Sequence, residues 1–191
     1  MENEAIIIKE DRQNKYFLEG NTVYLREVRL SDVDGDYYSW MNDPQVTKYL
    51  ECRFYPNSKE SLQDYVRGKL SDENSVLLAI ILKESQMHIG NIKLDFILNR
   101  VHRLGDVGIV IGSRDHWGKG YASEAIELVT NYALNTLNLH KLTACCYASN
   151  KGSIKIFEKS GYEIEGVLKK HFFCDGKYED AVVLGLVNPR S

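Results

Sequence analysis

The sequence predicts a mixed α/β (α+β) fold, a central twisted sheet with about four helices on its faces. Three observations predict it. Strand-like runs outnumber helical ones, three of them follow one another with only turns between, and a strand-helix-strand crossover comes after them. At 191 residues the chain has the size of one domain, and 43% hydrophobic with 27% charged residues is the composition of a chain that buries a core. We expect one domain over 1–191, with a core over 15–187 and a loose arm over 1–14.

Taken in order, Lys15 to Leu18 and Val23 to Arg29 read as strands around the turn-forming Glu19-Gly20-Asn21. Ser31, with Asp34 three residues on, opens a helix in the manner of a capping box. Val33, Tyr37, Trp40 and Met41 keep helical spacing until Asn42-Asp43-Pro44, because a residue before proline avoids helical geometry. Ser58 starts a second helix with Leu62, Tyr65, Val66 and Leu70 on one side. Ser75 to Leu82, His88 to Phe96 and Asp106 to Ile111 are successive strands. The helix from Ala122 to Leu137 carries an apolar stripe of Ala122, Ala125, Ile126, Val129, Tyr132 and Ala133. Lys141 to Tyr147 is a strand, and Lys151 to Ser160 a short helix closed by Gly161 in a left-handed position. Two more strands finish the chain.

Charge and cysteine usage narrow the function. Lys plus Arg is 24 and Asp plus Glu is 27, a net charge of −3, which argues against nucleic acid as an obligate partner. Cys52, Cys145, Cys146 and Cys174 form no C-x-x-C pair and the five histidines no cluster, so free thiols and no metal are expected. The apolar run Ala5 to Ile8 is too short for a signal peptide or a membrane span. A cytoplasmic protein with no membrane partner is the expectation.

The segment from Ile109 to Ala125 is the most informative. A buried strand runs into a glycine-containing loop that opens directly into the strongest helix. Helix N-termini leave backbone N–H groups unpaired and partly positive, which suits phosphate. Gly118 and Gly120 let backbone approach an anion, and Lys119 adds charge. A Walker loop needs Ser or Thr where Gly120 stands, and a dinucleotide fingerprint needs Gly or Ala where Ser123 stands, so both fail. An ordinary tight turn is the alternative.

Trp117-Gly-Lys-Gly-Tyr-Ala122 resembles the acetyl-CoA loop of the GNAT superfamily, Gln or Arg, two residues, Gly, one residue, then Gly or Ala. Trp117 stands at the Gln/Arg position, a departure shared with the branch that acetylates ribosomal-protein N-termini. Val23-Tyr-Leu-Arg-Glu-Val28, Trp40-Met-Asn-Asp-Pro-Gln-Val46, Asn150-Lys-Gly-Ser153 and Gly161-Tyr162 extend the likeness over Asn21 to Val187. The resemblance implies a GNAT fold with a splayed cofactor strand and acetyl-CoA as cofactor. Pyrophosphate would lie on the backbone N–H groups of Trp117, Gly118, Lys119, Gly120, Tyr121 and Ala122, and pantetheine along Ile109, Val110 and Ile111. It also implies that Asn150 contacts pantetheine and that Ser153 lies near the sulfur. Asn150 read alone is an ordinary N-cap. The tyrosine acid of many relatives is replaced by Phe157, which has no proton to give.

Acetylating an amine requires that it lose a proton, since a lysine-like ammonium with a pKa of about 10 is not nucleophilic. Backbone N–H groups of a splayed strand supply oxyanion donors, and the departing thiolate takes a proton. Asp106, at the start of the cofactor strand, is the candidate base; a solvated strand-end carboxylate is the alternative. Ser153 or water would supply the acid. His116 lies on the phosphate side and reads as a surface group. On the substrate side, Glu51 could pair with an amine and Arg53 with a carboxylate or phosphate, though each also reads as a solvated loop residue.

The expected reaction is acetyl transfer from acetyl-CoA to a primary amine by direct attack in a ternary complex. The acceptor would be a small amine such as an amino sugar, nucleotide-linked or not, or a protein N-terminal amine. The run Val46 to Phe54 is similar to proteins that acetylate amino sugars. A non-catalytic acyl-CoA-binding module on the same fold is the rival, and a homodimer is open to either.

Overall fold

The computed structural model describes residues 16–97 and 101–191, so the expected arm and Lys15 lie outside the described residues. Eight strands form one sheet: β1 (Leu18–Glu19), β2 (Val23–Glu27), β3 (Ser75–Leu82), β4 (His88–Ile97), β5 (Leu104–Ile111), β6 (Lys141–Tyr147), β7 (Glu163–Cys174) and β8 (Lys177–Val187). Their spatial order is β1-β2-β3-β4-β5-β6-β8-β7, antiparallel throughout except where β5 lies parallel to β6. The β5-helix-β6 crossover creates that parallel pair.

Among the described residues five helices cover the sheet, one more than expected: α1 (30–41), α2 (Pro44–Thr47), α3 (Lys59–Ser71), α4 (121–136) and α5 (Lys151–Lys159). Helix α1 begins at Leu30, and it is Asp32 rather than Asp34 whose carboxylate returns to the Arg29 amide, at 2.7 Å. Asp32 is also held by Arg26 at 2.7 Å, and that ion pair fixes the capping box two residues earlier than the Ser31–Asp34 pair would. Gly35 breaks the helical φ/ψ run, so α1 is kinked. The short α2 escaped the sequence reading, although its Asp43 cap and Pro44 at the first position are standard signals.

Each face of the sheet has its own core. Helices α4 and α5 lay Ala125, Ile126, Val129, Ala133, Ile154 and Phe157 against Ile92, Leu94, Leu142 and Leu184. Helices α1, α2 and α3 lay Val33, Tyr37, Trp40, Val46, Leu62 and Val66 against Tyr24, Leu77, Ala79 and Ile81. Burying each large aliphatic or aromatic chain here contributes about 1.5–3 kcal/mol. The second core reaches the end of β5, where Trp40 lies against Gly112: a Cβ there would sit 1.9 Å from the indole. Gly112→Ala should therefore lower stability by about 1–3 kcal/mol through overpacking, read as a drop of several degrees in thermal unfolding.

Candidate active site

The site begins with a fork in the sheet. β5 pairs with β6 only at Leu104, Gly105 and Asp106, opposite Lys141, Leu142 and Thr143, while its pairing with β4 continues to Ile111. Beyond Asp106 one edge of β5 is open. The Gly112 amide bonds the Ile89 carbonyl on β4, so the alternation of an antiparallel pair points the N–H and C=O of Val107, Ile109 and Ile111 towards the opening. Val110 instead spends its backbone on Asn91 of β4. The Ile111 carbonyl is taken by the Trp117 indole N–H at 2.7 Å, which leaves Ile109 and Val107 as the freest stretch. Of the strand predicted to carry the cofactor, Ile109 and Ile111 thus face the opening and Val110 turns away.

The open edge leads into the glycine loop. Gly118 and Gly120 hold φ of +72° and +89°, a left-handed backbone that side-chain-bearing residues adopt rarely, and neither has an atom within 4 Å of a would-be Cβ. Gly120 caps α4 without any side-chain hydrogen bond. The N–H groups of Tyr121 and Ala122 therefore start the helix without intrahelical acceptors, beside those of Gly118, Lys119 and Gly120. The Trp117 amide is different, because it already donates to the Arg114 carbonyl at 3.0 Å. The first-turn acid Glu124 points away: it accepts from the amides of Asn21 and Thr22 and from the Thr22 hydroxyl. Burial works against its charge, but these hydrogen bonds hold its pKa below the ordinary value. The helix end is left electropositive and open. His116 bonds Ser113 at 2.7 Å on the outer side of the loop.

Asp106 stands at the apex of the fork. Its side chain opens into a cavity of about 630 Å³ between the sheet and the 49–65 segment. Leu77, Asn91, Lys93, Gly108, Cys145 and Tyr147 form the floor, and Tyr49, Glu51, Cys52, Tyr55, Tyr65 and Phe172 the walls. Burial pushes the Asp106 pKa up; Lys93 nearby and a 3.2 Å hydrogen bond from Thr143 pull the other way without cancelling it. Its cross-strand partner Asp95 shows the contrast. Burial also disfavours its charge, but Lys69 at 2.7 Å, Lys93 at 2.5 Å and Ser75 at 2.6 Å bring its pKa down to about 2. One carboxylate of the opposed pair is locked as an anion, and the other is left easier to protonate.

The remaining candidates divide. Asn150 caps α5, its side-chain oxygen accepting from the Ser153 amide at 3.2 Å. The Ser153 hydroxyl lies 3.3 Å from the Cys146 sulfur, on the α4–α5 face rather than in the cavity. Phe157 is 2% exposed, edge-on to Tyr162 in that core. Glu51 lines the cavity. Arg53 does not: its guanidinium donates to the carbonyls of Leu50 at 3.0 Å and Phe173 at 2.6 Å and lies over Tyr147, tying the cavity wall to the β7–β8 hairpin. Asn91, Lys93, Cys145 and Tyr147 were not singled out from sequence. Their period-2 spacing on β4 and β6, shared with Asp106 across the register, was the available signal.

The sequence and the fold have known relatives. Residues 22–163 match the acetyltransferase (GNAT) domain family. The uncharacterized N-acetyltransferase p20 of Bacillus licheniformis is 30% identical over 166 residues, 85% of this chain and 91% of the relative. The spermidine N(1)-acetyltransferase of Escherichia coli K12 is 38% identical over 85 residues, 44% of this chain and 45% of that enzyme. Among solved structures, RimL, a ribosomal L7/L12 alpha-N-protein acetyltransferase in complex with coenzyme A, superposes with a TM-score of 0.80 at 15% identity, covering 90% of this chain and 97% of that one.

Proposed function

From the premise that this chain belongs to the GNAT family and is an acetyl-CoA-dependent N-acetyltransferase, we propose that it binds acetyl-CoA in the fork of its sheet and acetylates a primary amine held in the adjoining cavity. The observation that carries this is the alignment of three features along one strand: Asp106 at the apex of the fork, the open edge of β5 running on from it, and the unpaired amides at the start of α4 beyond the far end of that edge.

The residues present fit that group. Backbone N–H groups of Gly118 to Ala122 suit the pyrophosphate and Lys119 adds its charge; Gly118 and Gly120 leave the approach clear. Ile109 and Ile111, with Val107, offer the edge that suits a pantetheine amide chain. When bound, the coenzyme supplies the activated acetyl thioester. Asp106 takes the proton from the acceptor ammonium, directly or through water, and its raised pKa makes it a stronger base than a solvated aspartate. The outward N–H of Ile109 or Val107 stabilises charge on the acyl oxygen. Ser153 or a water would return a proton to the departing thiolate; the Ser153 hydroxyl lies 3.3 Å from the Cys146 sulfur and its amide is held by Asn150. Glu51 at the cavity wall attracts the amine.

The acceptor is a small amine such as an amino sugar, or a protein N-terminal amine. The likeness to a spermidine acetyltransferase raises a third class, a polyamine. A coenzyme-binding module without catalysis draws its support from Phe157, since α5 carries no phenolic proton donor. The test is thiol release from acetyl-CoA across amino sugars, nucleotide-linked amino sugars, polyamines, amino acids and N-terminal peptides. Release dependent on one amine class is the expected result. Tight coenzyme binding with no release from any class overturns the catalytic reading in favour of the module.

A further inference from the structure

Asp106 is the candidate base, and a carboxyl in a cavity wall must still ionise to accept a proton. Across the β4–β5 register Asp95 stands directly opposite Asp106 and Lys93 opposite Gly108, so all three side chains share one face of the sheet. Asp95 divides its two oxygens. Oδ1 accepts from Lys69 Nζ at 2.7 Å and from the Ser75 hydroxyl at 2.6 Å, and Oδ2 from Lys93 Nζ at 2.5 Å. The Cβ atoms of a directly opposed pair are about 5 Å apart, so this contact sets the Lys93 ammonium beside Asp106. Gly108 makes room for it. A Cβ there would sit 2.8 Å from Lys93 Cε and 3.3 Å from Cγ, so the lysine stem crosses the place a side chain would fill. The influence is mutual. Lys93 opposes the burial that raises the Asp106 pKa, and Asp95, Tyr65 and Asp106 hold the Lys93 pKa up against its own burial.

The other groups around Asp106 leave Lys93 as the deciding charge. On β6 they are Cys145, Cys146 and Tyr147, and behind the sheet Tyr162. Helix α3 brings Tyr65 and, beyond Asp95, Lys69. The 49–55 segment brings Tyr49, Glu51, Cys52 and Tyr55 across the cavity. Burial pushes up the thiols of Cys52, Cys145 and Cys146 and the phenols of Tyr65 and Tyr162, which keeps them uncharged at neutral pH. Glu51 is an anion on the opposite wall. Lys69 is spent on the far oxygen of Asp95, and of the two lysines it is Lys93 whose charge bears on Asp106.

We propose that Lys93 is a positioning residue for the base, its ammonium fixed by Asp95 over Gly108 so that Asp106 stays ionised, and able to take the acceptor's proton, at neutral pH. This rests on the reading of Asp106 as the base. Burial alone makes a carboxylate more basic and, carried further, leaves it protonated before any amine arrives. A cation held at one side limits that rise. Lys93 acts through Asp106 and has no need to touch the acceptor.

The test titrates the full chain, as wild type and variants, with two readouts. One is the side-chain ¹³C carboxyl resonance of Asp106, assigned by its loss in Asp106→Asn. The other is kcat/KM for thiol release from acetyl-CoA with the amine class that supports it. Lys93→Met keeps the stem and removes the charge. It should move the Asp106 midpoint up by about one pH unit and the ascending limb with it, so that kcat/KM on the limb falls about tenfold. Lys93→Arg restores the charge and should bring both back towards wild type. Gly108→Ala displaces the stem and should move both in the same direction as Lys93→Met, by less. Should Lys93→Met fail to fold, Gly108→Ala decides. A lysine with only a structural part in the sheet would change the melting temperature and leave both midpoints in place. An Asp106 titration unmoved in these variants overturns the proposal and leaves Asp106 free to be the base. A titration that moves while the activity limb stays put overturns the base reading, and with it the catalytic part given to Lys93.

Discussion

Replacing Gly120 with glutamate is expected to abolish coenzyme binding, with affinity falling at least about 100-fold, or ~2.7 kcal/mol. Two effects act together. Gly120 has φ of +89°, and a non-glycine residue held in the left-handed region costs about 1–2 kcal/mol. The new carboxylate would also stand at the positive end of α4, where the amides of residues 118–122 are open and where the pyrophosphate carries its charge. Space is not the obstacle, because nothing lies within 4 Å of the Cβ position. Gly120→Ala separates the terms: it carries the backbone strain without the charge and should bind coenzyme with an intermediate loss. Calorimetry with acetyl-CoA reads both variants, and Gly120→Glu binding within threefold of wild type would remove the loop from the coenzyme site.

The parts of this molecule that sequence makes legible are those set by local physics. Ser75–Leu82 and Lys141–Tyr147 are apolar runs between turn residues, and both strands have the bounds their patterns indicate. Gly161 does close α5 with φ of +89°, and Gly118 and Gly120 have the left-handed backbone that a loop entering a helix requires. What sequence leaves hidden depends on register and on distant partners. Nothing in the residues around Asp106 says that pairing with β6 stops there, because the fork is a property of two strands brought together by a crossover. Arg53 reads as an anion ligand until the carbonyl of Phe173, 120 residues away, is found to occupy it. Asn91 is an unremarked polar residue in a strand until His88 is found 2.9 Å from its side-chain oxygen. Asp32 and Asp34 compete for one cap, and Arg26 on the neighbouring strand decides between them.

Asp106→Asn is expected to lower kcat/KM about 100-fold, the usual worth of a general base, with coenzyme affinity retained because Asp106 lies at the fork apex and not in the loop. The pH profile adds a sharper signature. A base works only when deprotonated, so wild-type activity should rise with pH through the Asp106 pKa, which burial places above the ordinary aspartate range. The variant should lose that ascending limb. Stability should move the opposite way. An acid whose folded pKa is raised favours the folded state fully below its unfolded pKa, and that contribution is lost as pH rises through the folded pKa. At neutral pH the wild-type protein therefore carries a destabilising buried charge, only partly offset by Lys93 and Thr143. Asparagine removes it and keeps the size, so the variant should melt at a higher temperature than wild type at pH 7, and the gap should close as pH falls to the unfolded pKa of about 4. A structural carboxylate such as Asp95, held near a pKa of 2 by two lysines and a serine, predicts the reverse: loss of stability at neutral pH on conversion to asparagine. An Asp106→Asn protein that is less stable and fully active would make Asp106 a second member of that ion cluster; one that is more stable and inactive makes it the base.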